Sequence, residues 1–392
     1  MSWFSLLKQE IRALFTNQAA VFTVFGGVII YSLLYPVPYS QQTPRELSVA
    51  IVDQDGSQTS RMFTRMMDAT PEITVTRELP TVDSAAELIA TGVIDGVVSI
   101  PEHFYRDLLM GKSPVVSVAG DASFFLVYGT VVTGVVNAGK DLGAKVKVAK
   151  SVLRNTPLAL ASKQYTPFDL NLTPVYNPTM GYGNYAIPGV FMLILQQTLM
   201  LASALIGCQQ MVSKGQSSAY WNTSNPLLVV LTRSLVIVAI YAIMAMYYLG
   251  ACLEANGINR LSHPIELASV VLPFLFASSG LGILLGYLFK RAESLSLAIL
   301  VSSMPMLFVS GFIWPTAALP VWLQGLAQII PSTAVIPAVL QLNQMGATPA
   351  DEIHYVVQLL LQAISYLSLA ALLLFGAQRM FRNEHKHITT SQ

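Results

Sequence analysis

The chain has 392 residues, 53% of them hydrophobic and 11% charged, with a mean hydropathy of +0.56. A soluble domain carries about 25% charge, so this composition places much of the chain in a lipid bilayer. A net charge of +1 offers no basic face able to displace the counterions of a nucleic acid, and two cysteines, Cys208 and Cys252, near the ends of consecutive apolar stretches, exclude a disulfide framework.

Residues 1–17 carry Trp3, Leu7 and Leu14, with Phe4, Ile11 and Phe15 on an adjoining stripe, among Lys8, Glu10 and Arg12. The spacing predicts an amphipathic helix, either lying along the membrane surface or packed on its own bundle. Residues 18–38 hold the first apolar span. It runs into Tyr-Pro-Val-Pro at 35–38 where a signal peptide would show a small-residue cleavage site, and reads as an uncleaved signal anchor.

Across residues 39–184 the pattern changes from continuous to alternating. Strands are predicted at 47–52 (LSVAIV), 73–76, 96–100 (GVVSI) and 115–118, and helices at 57–67, 84–91 and in PEHFYRDLLMG at 101–111, where Pro101 opens the helix and Gly111 stops it. These elements predict a small α/β unit with a partly parallel sheet. A long helix is expected from 123 to about 160, with glycines at 129, 134, 139 and 143 that allow close packing. Lys140, Lys145, Lys147 and Lys150 give it a face that is either solvated or set on anionic headgroups. Residues 171–184 (NLTPVYNPTMGYGN) return the chain to the membrane through a turn-rich segment, with Tyr176, Tyr182 and Tyr185 placed for an interfacial aromatic belt.

Residues 185–378 supply the other five spans. The stretch 186–210 is free of charge and long enough for a hydrocarbon core of about 30 Å. Further spans are predicted at 227–249, 265–289, 294–314 and 355–377. Between the last two, residues 315–350 are apolar but broken by Pro315, Pro320, Pro331 and Pro337, which predicts a re-entrant or surface-lying segment. The expected fold is an α-helical membrane protein: six transmembrane helices, a Pro-broken re-entrant segment after span five, and an extracytoplasmic α/β domain with a long helix. Lys8, Arg12, Lys214, Arg233, Lys290 and Arg291, with Arg379, Arg382 and Lys386 in the tail at 379–392, fall on one side, against Arg260 on the opposite short loops. The positive-inside rule then puts both termini in the cytoplasm.

Gly282 and Gly286, four apart on the fourth span, suit close backbone approach between helices. The amide pairs Gln196 and Gln197, and Gln358 and Gln362, must avoid lipid, and serve either as structural glue or as a substrate path. Glu266 is a carboxylate at the outer edge of span four, facing either a polar substrate at a pore mouth or Arg260 or His263. Gly111-Lys112-Ser113 imitates the end of a phosphate-binding loop, but Arg106 stands at its first glycine. The sequence shows no catalytic motif, no metal-ligand spacing and no acidic or histidine relay deep in the spans, so the expected protein is a conduit or scaffold powered by a partner.

Four stretches carry a resemblance: SVAIVDQDGSQTSR at 48–61, DGVVSIPEHFYRDLLMGKSPVVSVAGD at 95–121, YNPTMGYGNYAIPG at 176–189 and MPMLFVSGFIWPTAALPVWLQGLAQIIPST at 304–333. With the order of elements, they resemble the permease subunits of type-2 ABC exporters with a large periplasmic insert between spans one and two. The resemblance implies a dimer of identical or closely related permeases, in a bacterial inner membrane, seated on two separate cytoplasmic ATPase subunits that bind ATP and magnesium. It implies that the turn 209–226 is a coupling helix docked in the ATPase, with Gln210, Lys214, Gly215, Gln216, Tyr220 and Trp221 as the matching residues. This turn lacks the acidic residues found there in many members.

The resemblance also implies a pair of short re-entrant helices at the outer mouth, matched by Gly311, Pro315, Pro320, Trp322 and Pro331. Phe308, Phe312, Ile313 and Trp314 there can shut a narrow path by dewetting. The function expected is outward movement of an amphipathic drug-like or lipid-like substrate, as in multidrug efflux, with a periplasmic adaptor as a further possible partner. The alternative from another class is a scaffold or sensor whose insert binds a protein while no solute crosses.

Overall fold

The computed structural model describes residues 2–39, 44–123, 125–153, 157–160, 175–177, 181, 183–212, 219–311 and 314–390. The chain divides into two compact units, residues 1–42 with 174–392, and residues 43–173.

Six helices of the first unit are long and apolar enough to cross a membrane: Gln18–Tyr39, Gly183–Met211, Pro226–Ala255, Pro264–Leu288, Ala292–Val309 and Ile353–Met380. These are spans one to six. The second is the axis of the bundle. In its most apolar window 89% of residues are buried, against 17% for the fifth span, because it packs against every one of the helices named next: the first, third, fourth and fifth spans and the helix Pro331–Met345. The first and third spans each contain a widened π turn, at Phe22–Gly27 and Tyr247–Cys252. They are tied together there, with the Tyr248 hydroxyl donating to the Val28 carbonyl at 2.7 Å and Ser32 bonded to Tyr247 at 3.0 Å. Leu6 and Leu374 share one buried cluster, so the beginning of the chain and the end of span six lie at the same end of the bundle.

After span five the chain does not cross again as a straight helix. Pro315 caps the turn Thr316–Ala318, Pro320 caps the helix Val321–Ala327, and Pro331 opens the helix Pro331–Met345. At a helix start proline's missing N–H costs nothing and its fixed φ favours the first turn. The two helices meet at 85°. Pro337 was expected to break this segment as well, but the helix continues through it. Ala334, Val335, Ile336, Ala338 and Val339 on either side are all buried in the main core, and that packing holds the helix despite one missing hydrogen bond.

The bend leaves carbonyls without helical partners, and span six satisfies them with side chains spaced one turn apart. Gln358 and Gln362 donate to the Gln328 carbonyl at 3.3 and 2.6 Å, and Tyr366 donates to the Ile329 carbonyl. Thr333 donates to the carbonyls of Ala327 and Ile330 at 2.7 and 2.6 Å. The amides at 358 and 362 therefore act as glue for non-helical backbone. Substituting Gln362→Leu together with Tyr366→Phe removes two of these donors while Gln358 still reaches the Gln328 carbonyl, and is expected to lower the stability of the bundle by about 1–3 kcal/mol, since each hydrogen bond contributes about 0.5–1.5 kcal/mol net. Denaturation of the purified protein in mixed micelles checks this; an unchanged midpoint would show that water takes over the donors' place.

The second unit is built on a four-stranded sheet, β1 (Leu47–Asp53), β2 (Ile73–Glu78), β3 (Gly96–Ile100) and β4 (Ser117–Gly120), in the order β2-β1-β3-β4. β1 runs parallel to β2 and β3, and β4 is antiparallel to β3, the partly parallel sheet expected. Strand alternation covers both faces. Val49, Ile51, Val98 and Ile100 meet Phe63, Phe104 and Leu142 on one side, and Ala50, Val52 and Val97 meet Ala85 on the other.

Local details differ from expectation. β4 starts two residues late because its register is set by pairing Ser117 with Ser99 and Gly120 with Gly96. Pro101 does not open the next helix. His103 intervenes with φ of 62°, the helix is Phe104–Met110, and the Asp55 carboxylate accepts the Tyr105 N–H at its start at 3.2 Å. Gly111, at φ 79°, stops it as expected. The long helix Phe125–Val152 uses only one of its four glycines for close packing: Gly134 lies against Glu72, Thr70 and Ile73, whereas Gly129, Gly139 and Gly143 face open space.

Candidate coupling site and outer mouth

The helix Trp3–Thr16 turns Leu6, Glu10 and Leu14 inward and leaves Trp3, Phe4, Ile11 and Phe15 exposed. The inward face thus carries a carboxylate. Glu10 and Arg233 are each 1% exposed and form a bidentate pair, Nε to Oε2 at 2.9 Å and Nη2 to Oε1 at 3.0 Å. The guanidinium also donates to Gln210 Oε1 at 2.5 Å and to the Tyr287 hydroxyl at 3.1 Å. Gln210 in turn donates to the Tyr220 hydroxyl at 3.0 Å. Burial raises the Tyr220 phenol above its usual range and keeps it neutral.

One cation therefore joins the N-terminal helix, the end of span two, span three, the end of span four and the short helix Tyr220–Thr223. A planar guanidinium with five donors can do this; a lysine cannot. Span six closes the arrangement. Gln378 donates to the carbonyls of Trp221 and Ser224 at 2.5 and 3.1 Å, and the Trp221 ring packs edge-on against Tyr220. Of the sequence-selected coupling residues, Gln210, Tyr220 and Trp221 come together here, while Lys214, Gly215 and Gln216 lie outside the described residues.

Glu10, Arg233, Tyr287 and Gln378 were not selected from the sequence. Arg233 counted only as a loop-side charge and Glu10 as part of a polar face. The expected absence of an acidic relay concerned the spans, and Glu10 lies in the helix that precedes the first of them. The usable signal was an arginine two turns inside an apolar run, which needs a carboxylate from somewhere, and the 6-10-14 spacing that puts Glu10 on a buried face.

At the middle of the bundle, Gln196 is wholly buried and Gln197 partly so. Both amides donate weakly to Met306 sulfur, at 3.4 and 3.1 Å, and neither oxygen has a partner among the described residues. Gly282 and Gly286 sit against span two, with a methyl group at Gly282 falling 2.6 Å from the Met200 carbonyl oxygen and one at Gly286 colliding with Ala204.

At the end opposite the Arg233 cluster, Glu266 accepts the His263 N–H at 2.7 Å and caps its own helix, and Arg260 pairs with Glu254 at 2.6 Å. Phe308 and Trp314 are more than half exposed on this single chain, and Phe312 and Ile313 lie outside the described residues. A cavity of 230 Å³ separates the end of span five from the re-entrant helices, lined among others by Ser310, Thr316, Gln324, Thr333 and Gln358. No three metal-ligating side chains converge among the described residues.

Two neighbouring carboxylates just before span six differ. Asp351 accepts from the Thr348 hydroxyl at 2.7 Å, which lowers its pKa, whereas burial raises that of Glu352, whose Oε2 has no partner among the described residues. A carboxyl with a raised folded pKa binds more protons folded than unfolded. Its burial therefore costs least below the unfolded value and progressively more as pH rises toward the folded one. Glu352→Gln should remove this dependence, so the variant's melting temperature is expected to pull ahead of the native protein's as pH rises from 4.5 upward; parallel curves across that range would refute it.

A family model described as "ABC-2 family transporter protein" matches residues 19–377. The chain is also similar to the inner membrane transport permease YhhJ of Escherichia coli K12 and to the protein of that name in Shigella flexneri. Each is 25% identical over 377 residues, covering 88% of this chain and 89% of the relative. With six apolar helices, an insert between the first two and a bent proline-broken pair after the fifth, the chain belongs to the ABC-2 family of ABC transporter membrane proteins.

Proposed function

We propose that this chain is the inner-membrane permease subunit of an ATP-driven exporter, with both termini cytoplasmic, the insert periplasmic, and the turn around Lys214 seated on a separate ATPase that holds ATP and magnesium. Its domains are an N-terminal helix at 1–17, a first span at 18–38, a periplasmic domain at 39–184, the five-span remainder at 185–378 and a cytoplasmic tail at 379–392. The observation that carries the reading is the Arg233 cluster. A movement that reaches Tyr220 and Gln210 passes through Arg233 and Gln378 to the N-terminal helix and spans two, three, four and six together. Lys214, Gly215 and Gln216 are assigned to docking on the ATPase, and the buried Gln210, with Tyr220 and Trp221, to passing its movement on.

Two such chains, identical or closely related, pair along their least enclosed spans, and the substrate leaves at the end where Phe308 and Trp314 lie, with Phe312 assigned to the same gate. Gln196 and Gln197 line its path, with Glu266 at the mouth. The bundle's apolar character suits an amphipathic drug-like or lipid-like compound, and an adaptor can engage the insert. Glu10 does not make the chain a proton carrier, because Arg233 occupies both of its oxygens.

Co-purification of the cognate ATPase, followed by reconstitution, tests the proposal. Substrate-stimulated ATP hydrolysis and outward transport are expected to fall together when Tyr220 and Trp221 are replaced by alanine. Transport that persists with those replacements would remove the coupling role of Tyr220 and Trp221, and a stable partner complex without stimulation or transport would favour the scaffold reading.

A further inference from the structure

The insert contains a groove that the transport machinery does not use. Within residues 43–173, the helix Phe104–Met110, the loop that follows it, β4 and the long helix Phe125–Val152 enclose a cavity of 480 Å³. That volume is in the range of about 300–1,000 Å³ typical of small-molecule sites. Its floor is apolar, formed by Leu108, Val116, Val118, Leu142 and the stacked rings of Phe63 and Phe104, whose centroids are 5.9 Å apart.

The wall is opened by Gly139 and Gly143. They lie one turn apart on the long helix, both line the cavity, and a β-carbon at either would meet nothing within 4 Å. Mid-helix glycine weakens a helix, and here no neighbour fills the space released. All three charged residues lining the groove are lysines, Lys112, Lys147 and Lys150. Lys112 is held at 3.9 Å by Asp107; Lys147 and Lys150 have no carboxylate partner among the described residues.

A narrow apolar slot with cations at its edge is complementary to one kind of molecule. We propose that the groove binds a single-chain amphiphilic acid, a fatty-acid-like molecule whose hydrocarbon tail lies along Gly139 and Gly143 and whose anionic head meets Lys147 and Lys150. The site is independent of ATPase coupling, and its test does not require transport.

The full chain, exchanged from detergent into amphipol, is titrated with 11-(dansylamino)undecanoic acid, whose emission rises in apolar surroundings, and with its uncharged methyl ester. Saturable binding of the acid is expected, weakened about tenfold or more by Gly143→Leu and by Gly139→Leu, which fill the slot. The ester should bind about tenfold more weakly than the acid to the native chain. That preference should vanish in the triple variant K112Q/K147Q/K150Q, whose surface substitutions leave the fold intact. Equal affinity of native and glycine variants, or equal affinity for acid and ester, would overturn the proposal. Binding that appears only after deletion of residues 154–174 would assign the groove to the chain's own segment and overturn it as well.

Discussion

Replacing Glu10 with alanine is expected to lower the stability of the membrane unit by about 3–5 kcal/mol, because it strands the Arg233 guanidinium in a site 1% exposed. The penalty belongs to the orphaned charge and only partly to the lost pair. The double variant E10M/R233M should therefore recover most of it, ending within about 1–2 kcal/mol of the native protein, the remainder reflecting the donors lost by Gln210 Oε1 and Tyr287. A double-mutant cycle by denaturation in mixed micelles measures the coupling. Arg233→Lys should fall near the alanine variant, since one ammonium cannot reproduce the fork to Glu10 while reaching Gln210 and Tyr287. If E10A were neutral, the pair would be open to water and the cluster could not act as a rigid link. The double variant also separates stability from force transfer: folded, but with substrate-stimulated hydrolysis weakened, it would tie the cluster to coupling.

The second large effect is expected at the contact between spans two and four. Gly286→Ala should destabilise by about 1–3 kcal/mol and Gly286→Leu by more, because the added group collides with the Ala204 carbonyl and Cα, which cannot rotate away as a side chain would. Gly282→Ala meets the Met200 backbone at 2.6 and 2.8 Å and should behave alike. The two sites share one helix contact, so their combined cost should be less than additive once the spans have separated. Gly376→Ala is the control: it faces open space on span six, and is expected to raise stability by up to about 1 kcal/mol. Thermal denaturation of the four variants side by side checks the ranking, and a neutral Gly286→Ala would mean that the spans are not in backbone contact.

The difference between these two sites shows what a sequence exposes. Two glycines four apart in an apolar run have an obvious use in lipid, where helices associate by close packing. The same spacing at Gly139 and Gly143 misled, because beside a sheet a glycine pair can equally mark an empty slot. The Arg233 cluster was hidden for another reason. Its five members, Glu10, Gln210, Tyr220, Arg233 and Tyr287, are scattered along the chain, and although Arg233 and Glu10 each carry a local sign of burial, nothing local says that they meet.

Composition and hydrophobic period, acting locally, determined most of the architecture: the apolar stretches became spans, the alternating runs became strands, and Pro315, Pro320 and Pro331 opened the pieces of the re-entrant segment. These follow from residues interacting with solvent, lipid or their own backbone, which a linear reading captures. Tertiary structure alone decided that Glu10 faces inward to Arg233, that Gln362 and Tyr366 cap a bend more than thirty residues away, and that Pro337 stays helical. Each of those outcomes depends on a partner distant in the chain, and a buried charge or an orphan carbonyl identifies its partner only when the fold brings the two together.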